Sequence, residues 1–122
     1  GVAIWSDIFP HATIHAFDRF RVNILNNTPF LLKQGAFRNG MYKLHGFDQG
    51  AEAHMEADEV LQPMTNKLFW IIDDASHRVD FTTKTFKYFR QYLDLEGVYI
   101  YEDAHVKDEK LLRKGVGGRF DM

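Results

Sequence analysis

Cysteine is absent from the 122 residues, which removes disulfides, thiol catalysis and thiolate metal sites together. A reducing compartment fits this, and a cytoplasmic location is the expectation. Long apolar runs are also missing. None approaches the ~20 residues that span a bilayer, and no basic-then-apolar leader is present, so a soluble chain with no membrane partner is expected. Charge of one sign is lacking too: 15 basic residues stand against 17 acidic ones, so no field favours nucleic acid or an acidic surface as partner. No internal repeat or low-complexity tract stands out. The chain opens on Gly1 rather than Met, as a tag remnant, a processed chain or part of a longer gene product would.

At 122 residues with 45% apolar and 15% aromatic content, the chain is enough for one domain with a core and too short for two. Its organising stretch is Lys67 to Asp103. An apolar run, Leu68-Phe69-Trp70-Ile71-Ile72, ends in Asp73-Asp74-Ala75-Ser76-His77; an amphipathic segment follows, then Val98-Tyr99-Ile100-Tyr101 ending in Glu102-Asp103. Two short apolar runs around a helical stretch read as a βαβ unit with parallel strands. Polar residues at the carboxyl ends of such strands share one sheet edge, where open α/β folds bind ligands.

The other segments extend this alternation. Val2 to Phe9 has helical apolar spacing and is closed by Pro10. Thr13 to Phe17 reads as a strand closing on Asp18-Arg19, and an acid there can accept hydrogen bonds from ribose hydroxyls. Asn26-Asn27-Thr28-Pro29 predicts a turn into a helix, with Thr28 as N-cap, Pro29 in the first helical position and an end near Asn39-Gly40. Met41 to Phe47 predicts a strand, closed by Asp48-Gln49-Gly50. Ala51 to Leu61 predicts an acidic, solvated helix. Asp80 to Leu93 predicts the clearest helix, with Phe81, Thr85, Phe86, Phe89, Tyr92 and Leu93 toward a core. Lys107 to Lys114 predicts a charged helix, and Gly115 to Gly118 a flexible end. The whole predicts a three-layer α/β sandwich with a mostly parallel sheet.

If the two strands of the βαβ unit are neighbours, Asp74, Glu102 and Asp103 converge. Three unpaired carboxylates repel unless a cation compensates, and an all-oxygen set suits Mg²⁺. His77 can then act as general base on a bound hydroxyl, a step worth typically ~10² to 10⁴ in rate. The same residues also serve as helix caps and turn residues with no catalytic duty.

Trp5-Ser6-Asp7-Ile8-Phe9-Pro10, Ile14-His15-Ala16-Phe17-Asp18, Gly46-Phe47-Asp48-Gln49, Ile71-Ile72-Asp73-Asp74-Ala75-Ser76-His77-Arg78 and Gly97-Val98-Tyr99-Ile100-Tyr101-Glu102-Asp103-Ala104-His105 together resemble the class I S-adenosylmethionine-dependent methyltransferases of macrolide sugars. These are the macrocin and mycinamicin O-methyltransferase type, with cephalosporin hydroxylase-like proteins as relatives. The resemblance runs from about Gly1 to His105; its specific parts are the Asp-Asp-Ala-Ser-His block and the Glu-Asp pair. It implies a Rossmann-like methyltransferase fold, with Asp74, Glu102 and Asp103 as Mg²⁺ ligands and His77 as general base on a sugar hydroxyl. It also implies that Asp18 holds the ribose of S-adenosylmethionine, that Asp48 and Gln49 lie near the adenine, and that Asp73 faces the donor pocket or braces the metal site.

Two departures accompany it. The family's first strand, with its Gly-rich loop, and its last strands have no counterpart here, so an incomplete domain with a gap at the sheet centre is expected. Such a gap invites direct pairing or self-association of copies. The expected partner is a small hydroxylated molecule. The readings that remain are an O-methyltransferase with a weakened donor half, a non-catalytic α/β module that works by self-association, and a metal-dependent hydrolase using Asp74 and His77.

Overall fold

A computed structural model describes residues 1–19, 21–38, 42–50 and 61–116. Except for Leu61, the helix expected over Ala51 to Leu61 lies outside them, as do Asn39 and Gly40. The chain groups into two compact units, the first reaching Asp48 and the second containing Gln49 and everything described from Leu61 onward. It is mixed α/β, with four helices among the described residues and two two-stranded parallel sheets.

In the first unit, helix α1 (Val2–Ile8) leads into strand β1 (Ile14–Asp18), helix α2 (Arg21–Lys33) and strand β2 (Tyr42–Gly46). The Phe9 N–H closes α1 on the Trp5 carbonyl at 2.9 Å, one residue before Pro10 forbids a further turn. β1 and β2 pair in parallel, from Ile14 opposite Tyr42 to Asp18 opposite Gly46. A parallel pair needs a long crossover, usually a helix, and this one corrects the turn expected at Asn26 to Pro29. α2 runs straight through those residues with Pro29 inside it and Thr28 buried. Pro29 has no N–H for the ladder, a defect of about 3 kcal/mol in an isolated helix; the return path between the strands outweighs it. The helix ends at Lys33, ahead of the expected Asn39-Gly40, with Gly35 just beyond it. Gly35 has φ +85°, the Ala36 N–H bonds the Leu31 carbonyl at 3.0 Å, and the Gly35 N–H bonds the Leu32 carbonyl at 2.9 Å. These two bonds make a Schellman cap, whose left-handed position suits glycine.

The second unit holds β3 (Leu68–Asp73), α3 (Val79–Phe89), β4 (Leu93–Tyr101) and α4 (Glu109–Val116), with single 3₁₀ turns at Gln62–Met64, Arg90–Tyr92 and Val106–Asp108. The expected βαβ unit is present: β3 and β4 are parallel, with Trp70 opposite Val98 and Asp73 opposite Tyr101. β4 is longer than the Val98 to Tyr101 run, because Leu68 pairs back to Leu93 across an irregularity that ends at Gly97. A Cβ at Gly97 would lie 2.9 Å from the Leu68 carbonyl oxygen and 2.8 Å from Leu93 Cγ, so the two strands approach there only over glycine.

α3 ends at Phe89, short of Leu93, and its buried positions are Thr82, Thr85 and Phe89. Phe86 instead meets the Tyr99 ring edge-on at 5.1 Å, and Phe81 lies under the Arg78 guanidinium at 4.3 Å. α4 packs on α3 with Leu112 buried, and Gly115 belongs to that helix rather than to a flexible end. Leu61, Phe89, Tyr92 and Leu112 form the buried apolar set of this unit. Among the described residues no helix is long and apolar enough to cross a membrane.

Candidate metal centre

Parallel pairing puts the carboxyl ends of β3 and β4 on one edge, so the residues just after Asp73 and Tyr101 emerge side by side. The Glu102 N–H donates to the Asp73 carbonyl at 3.1 Å, carrying the strand contact one step past the ladder. Beyond it, Asp74, His77 and Asp103 each bring one ligand-capable atom to within 4.8 Å of the other two. His77 Nε2 lies 3.8 Å from Asp74 Oδ1. Both carboxylates are exposed and the imidazole half-buried.

The backbone beneath two of these residues is unusual. His77 has φ +54° and Asp103 φ +56°, in the left-handed region that costs side-chain-bearing residues on the order of 1 to 3 kcal/mol and clusters at functional sites. His77 Nδ1 lies 3.3 Å from the Glu102 carbonyl oxygen. A carbonyl only accepts, so Nδ1 carries the hydrogen of that bond, and Nε2 is the ring nitrogen on the Asp74 side. That arrangement orients a metal-binding or proton-accepting imidazole. A depression of about 460 Å³ opens beside the cluster, lined by His77, Asp103, Ala104 and His105.

Of the residues expected to hold metal, Asp74 and Asp103 come together. The Glu102 carboxylate is not part of the cluster; Glu102 contributes its backbone N–H and carbonyl instead. Adjacent residues leaving a strand direct their side chains to different sides, so one acid of a Glu-Asp pair is turned away from a point the other faces.

The four residues expected at the methyl donor are divided between the units. Asp18 ends β1, and its carbonyl accepts the Phe47 N–H at 3.1 Å. Asp48 pairs with Arg19 at 3.2 Å on the surface of the first unit. In the second unit Asp73 is only 5% exposed, and its oxygens accept from Gln49 Nε2 at 2.7 Å and the Tyr99 hydroxyl at 2.6 Å. Gln49 Oε1 accepts the Ser76 N–H at 3.2 Å and its hydroxyl at 2.7 Å. These bonds tie the Asp73 carboxylate to Gln49 and Tyr99 inside the second unit. Burial first, and then the Asp73 charge, push the Tyr99 phenol far above its ordinary range, so Tyr99 is a permanent donor to Asp73.

Tyr99 and His105 were not singled out by spacing. Tyr99 is found only through the strand register, which sets it opposite Ile71 and on the side of Asp73. His105 follows the Glu-Asp pair by two residues, in the turn that lines the depression.

Comparison of this chain with known protein families, with curated proteins and with solved structures finds no match.

Proposed function

We propose that this chain carries the metal-binding half of an O-methyltransferase site that uses S-adenosylmethionine and a divalent cation and acts on a hydroxyl of a small molecule. The observation that carries the reading is the convergence of Asp74, His77 and Asp103 at the carboxyl ends of two parallel strands. Two carboxylates suit Mg²⁺ or Mn²⁺ with positions left for water and substrate oxygens. When bound, such a cation polarises a substrate hydroxyl and eases loss of its proton. Asp74 and Asp103 hold the cation in this reading. His77, with Nδ1–H turned to the Glu102 carbonyl, takes the hydroxyl proton at Nε2. The Rossmann-like methyltransferase fold belongs to the same proposal, supported by the alternating order and two parallel strand pairs with acids at their ends. The residues proposed toward S-adenosylmethionine are Asp18 and Asp48, while Gln49, whose amide is bonded to Asp73 and Ser76, joins Asp73 as brace of the metal side.

Thermal denaturation with Mg²⁺, with S-adenosylmethionine, and with both tests it. A ligand that binds only the folded chain adds about 2.7 kcal/mol at a hundredfold excess over its dissociation constant. Stabilisation by Mg²⁺ that disappears in Asp74→Asn, together with stabilisation by the methyl donor, is the expected result. No shift with either ligand removes the reading. His77→Gln separates the roles of the imidazole: a base leaves metal affinity in place when removed, whereas a ligand takes it away.

A second reading, a non-catalytic module that self-associates, is favoured by one observation. Phe69 and Trp70 on β3 are 59% and 42% exposed, and Leu95 and Val98 on β4 are 98% and 48% exposed. Trp70 and Val98 are register partners, and apolar side chains exposed together on a short sheet invite a second copy. A monomer by light scattering across a wide concentration range counts against it.

A further inference from the structure

Gln49 is not one of the three converging groups, yet it holds the segment that carries two of them. Its Nε2 donates to Asp73 Oδ1, and its Oε1 takes both the N–H and the hydroxyl of Ser76. Asp73 immediately precedes Asp74, and Ser76 immediately precedes His77. One buried amide therefore spans the turn between the first carboxylate and the imidazole. The chain of bonds closes on itself: His77 Nδ1 donates to the Glu102 carbonyl, and the Glu102 N–H donates to the Asp73 carbonyl. Tyr99, reaching from β4, fixes the other Asp73 oxygen.

We propose that Gln49 is a positioning residue for His77 and Asp74, pinning both ends of their turn, with Asp73 and Tyr99 as its anchor. The need for a pin follows from the backbone. His77 is held at φ +54°, a conformation that persists only where surrounding bonds over-determine it. Of those bonds, the ones to Ser76 act one residue away from His77, and they come from an amide that is 8% exposed and shielded from competing water. Without Gln49 the turn relaxes, the Nδ1 bond to Glu102 is lost, and Nε2 no longer has a fixed direction. Partners of this kind, one layer behind the ligands, typically control ten- to a hundredfold in metal affinity.

The test has two readouts on the whole chain. Nitrogen-15 NMR of the His77 ring in the metal-free protein at alkaline pH reports which nitrogen carries the hydrogen. Electron paramagnetic resonance of free Mn²⁺ reports affinity. In the parent the Nδ1–H form dominates. In Gln49→Leu that dominance is lost and the Mn²⁺ dissociation constant rises about ten- to a hundredfold. Ser76 is exposed, so Ser76→Ala keeps the fold even if Gln49→Leu does not; it shifts both readouts in the same direction by a smaller amount. Ser76→Thr, which retains the hydroxyl, restores the parent values. Parent-like tautomer and affinity in Ser76→Ala and in any folded Gln49→Leu protein overturn the inference. The affinity arm rests on the metal-site reading. A parent that binds no Mn²⁺ while the variants still lose the Nδ1–H form overturns that reading and upholds the positioning of His77.

Discussion

His15 Nδ1 and His45 Nε2 face each other at 3.1 Å across the β1–β2 ladder, their rings nearly parallel at 11° with centroids 5.3 Å apart. A hydrogen bond between two imidazole nitrogens requires one to carry a hydrogen and the other to be bare. A second proton on the facing pair sets two N–H groups against each other. Phe17 packs on the His45 ring at 4.8 Å, and Lys43, opposite His15 in the ladder, shares this face.

This pair makes the first unit sensitive to acid. Burial, then His45 and then Lys43 hold His15 below its ordinary value of 6.5; burial, then Lys43, do the same for His45. Both are therefore favoured neutral in the folded chain, while the unfolded chain takes up protons near the ordinary value. The stability linked to them is complete above about pH 6.5 and falls as the pH drops through the lowered folded values. Urea denaturation is expected to show a less stable chain at pH 5.5 than at pH 8, and His15→Gln should flatten that difference. NMR titration midpoints at or above the ordinary value for both rings would overturn the assignment.

The acids after β4 are expected to differ sharply in their response to neutralisation. Asp103→Asn should raise the Mn²⁺ dissociation constant at least tenfold, because it removes one of the three converging groups. Glu102→Gln should change it little, since Glu102 serves the site through its backbone. Paired titrations of the two variants decide the matter, and equal losses would restore Glu102 as a ligand.

Gly97 marks the close approach of β4 to β3. Gly97→Ala places a methyl 2.9 Å from the Leu68 carbonyl oxygen, and backbone yields less readily than a side-chain tip. A loss of about 1 to 3 kcal/mol is expected by chemical denaturation. Gly115→Ala meets the Thr83 side chain at 2.7 Å, which can turn away, so its effect should be the smaller of the two.

Leu112, 1% exposed, is the apolar contribution of α4 to the packing on α3. Leu112→Ala should cost about 2 to 5 kcal/mol through lost burial and the cavity left behind. The neighbouring Leu111 is 57% exposed, and Leu111→Ala should change the unfolding free energy by no more than about 0.5 kcal/mol. Comparable losses in the two variants would mean that α4 does not pack by its Leu112 face.

The β3–α3–β4 unit is legible in the residues alone, because two apolar runs around an amphipathic segment have few ways to bury themselves other than as parallel strands with a covering helix. So is the exit of Asp74 and the Glu102-Asp103 pair from those strands at the same edge. Which acid of that pair faces the cluster depends on the folded backbone, since adjacent residues are equivalent until the path beyond the strand is set. The fold alone placed His77 and Asp103 in left-handed backbone and bound Asp73 to Gln49 and Tyr99, contacts that depend on strand register and on residues 24 to 26 positions apart. Pro29 shows the same limit from the other side: local preference argued for a turn, and the crossover between β1 and β2 imposed a helix.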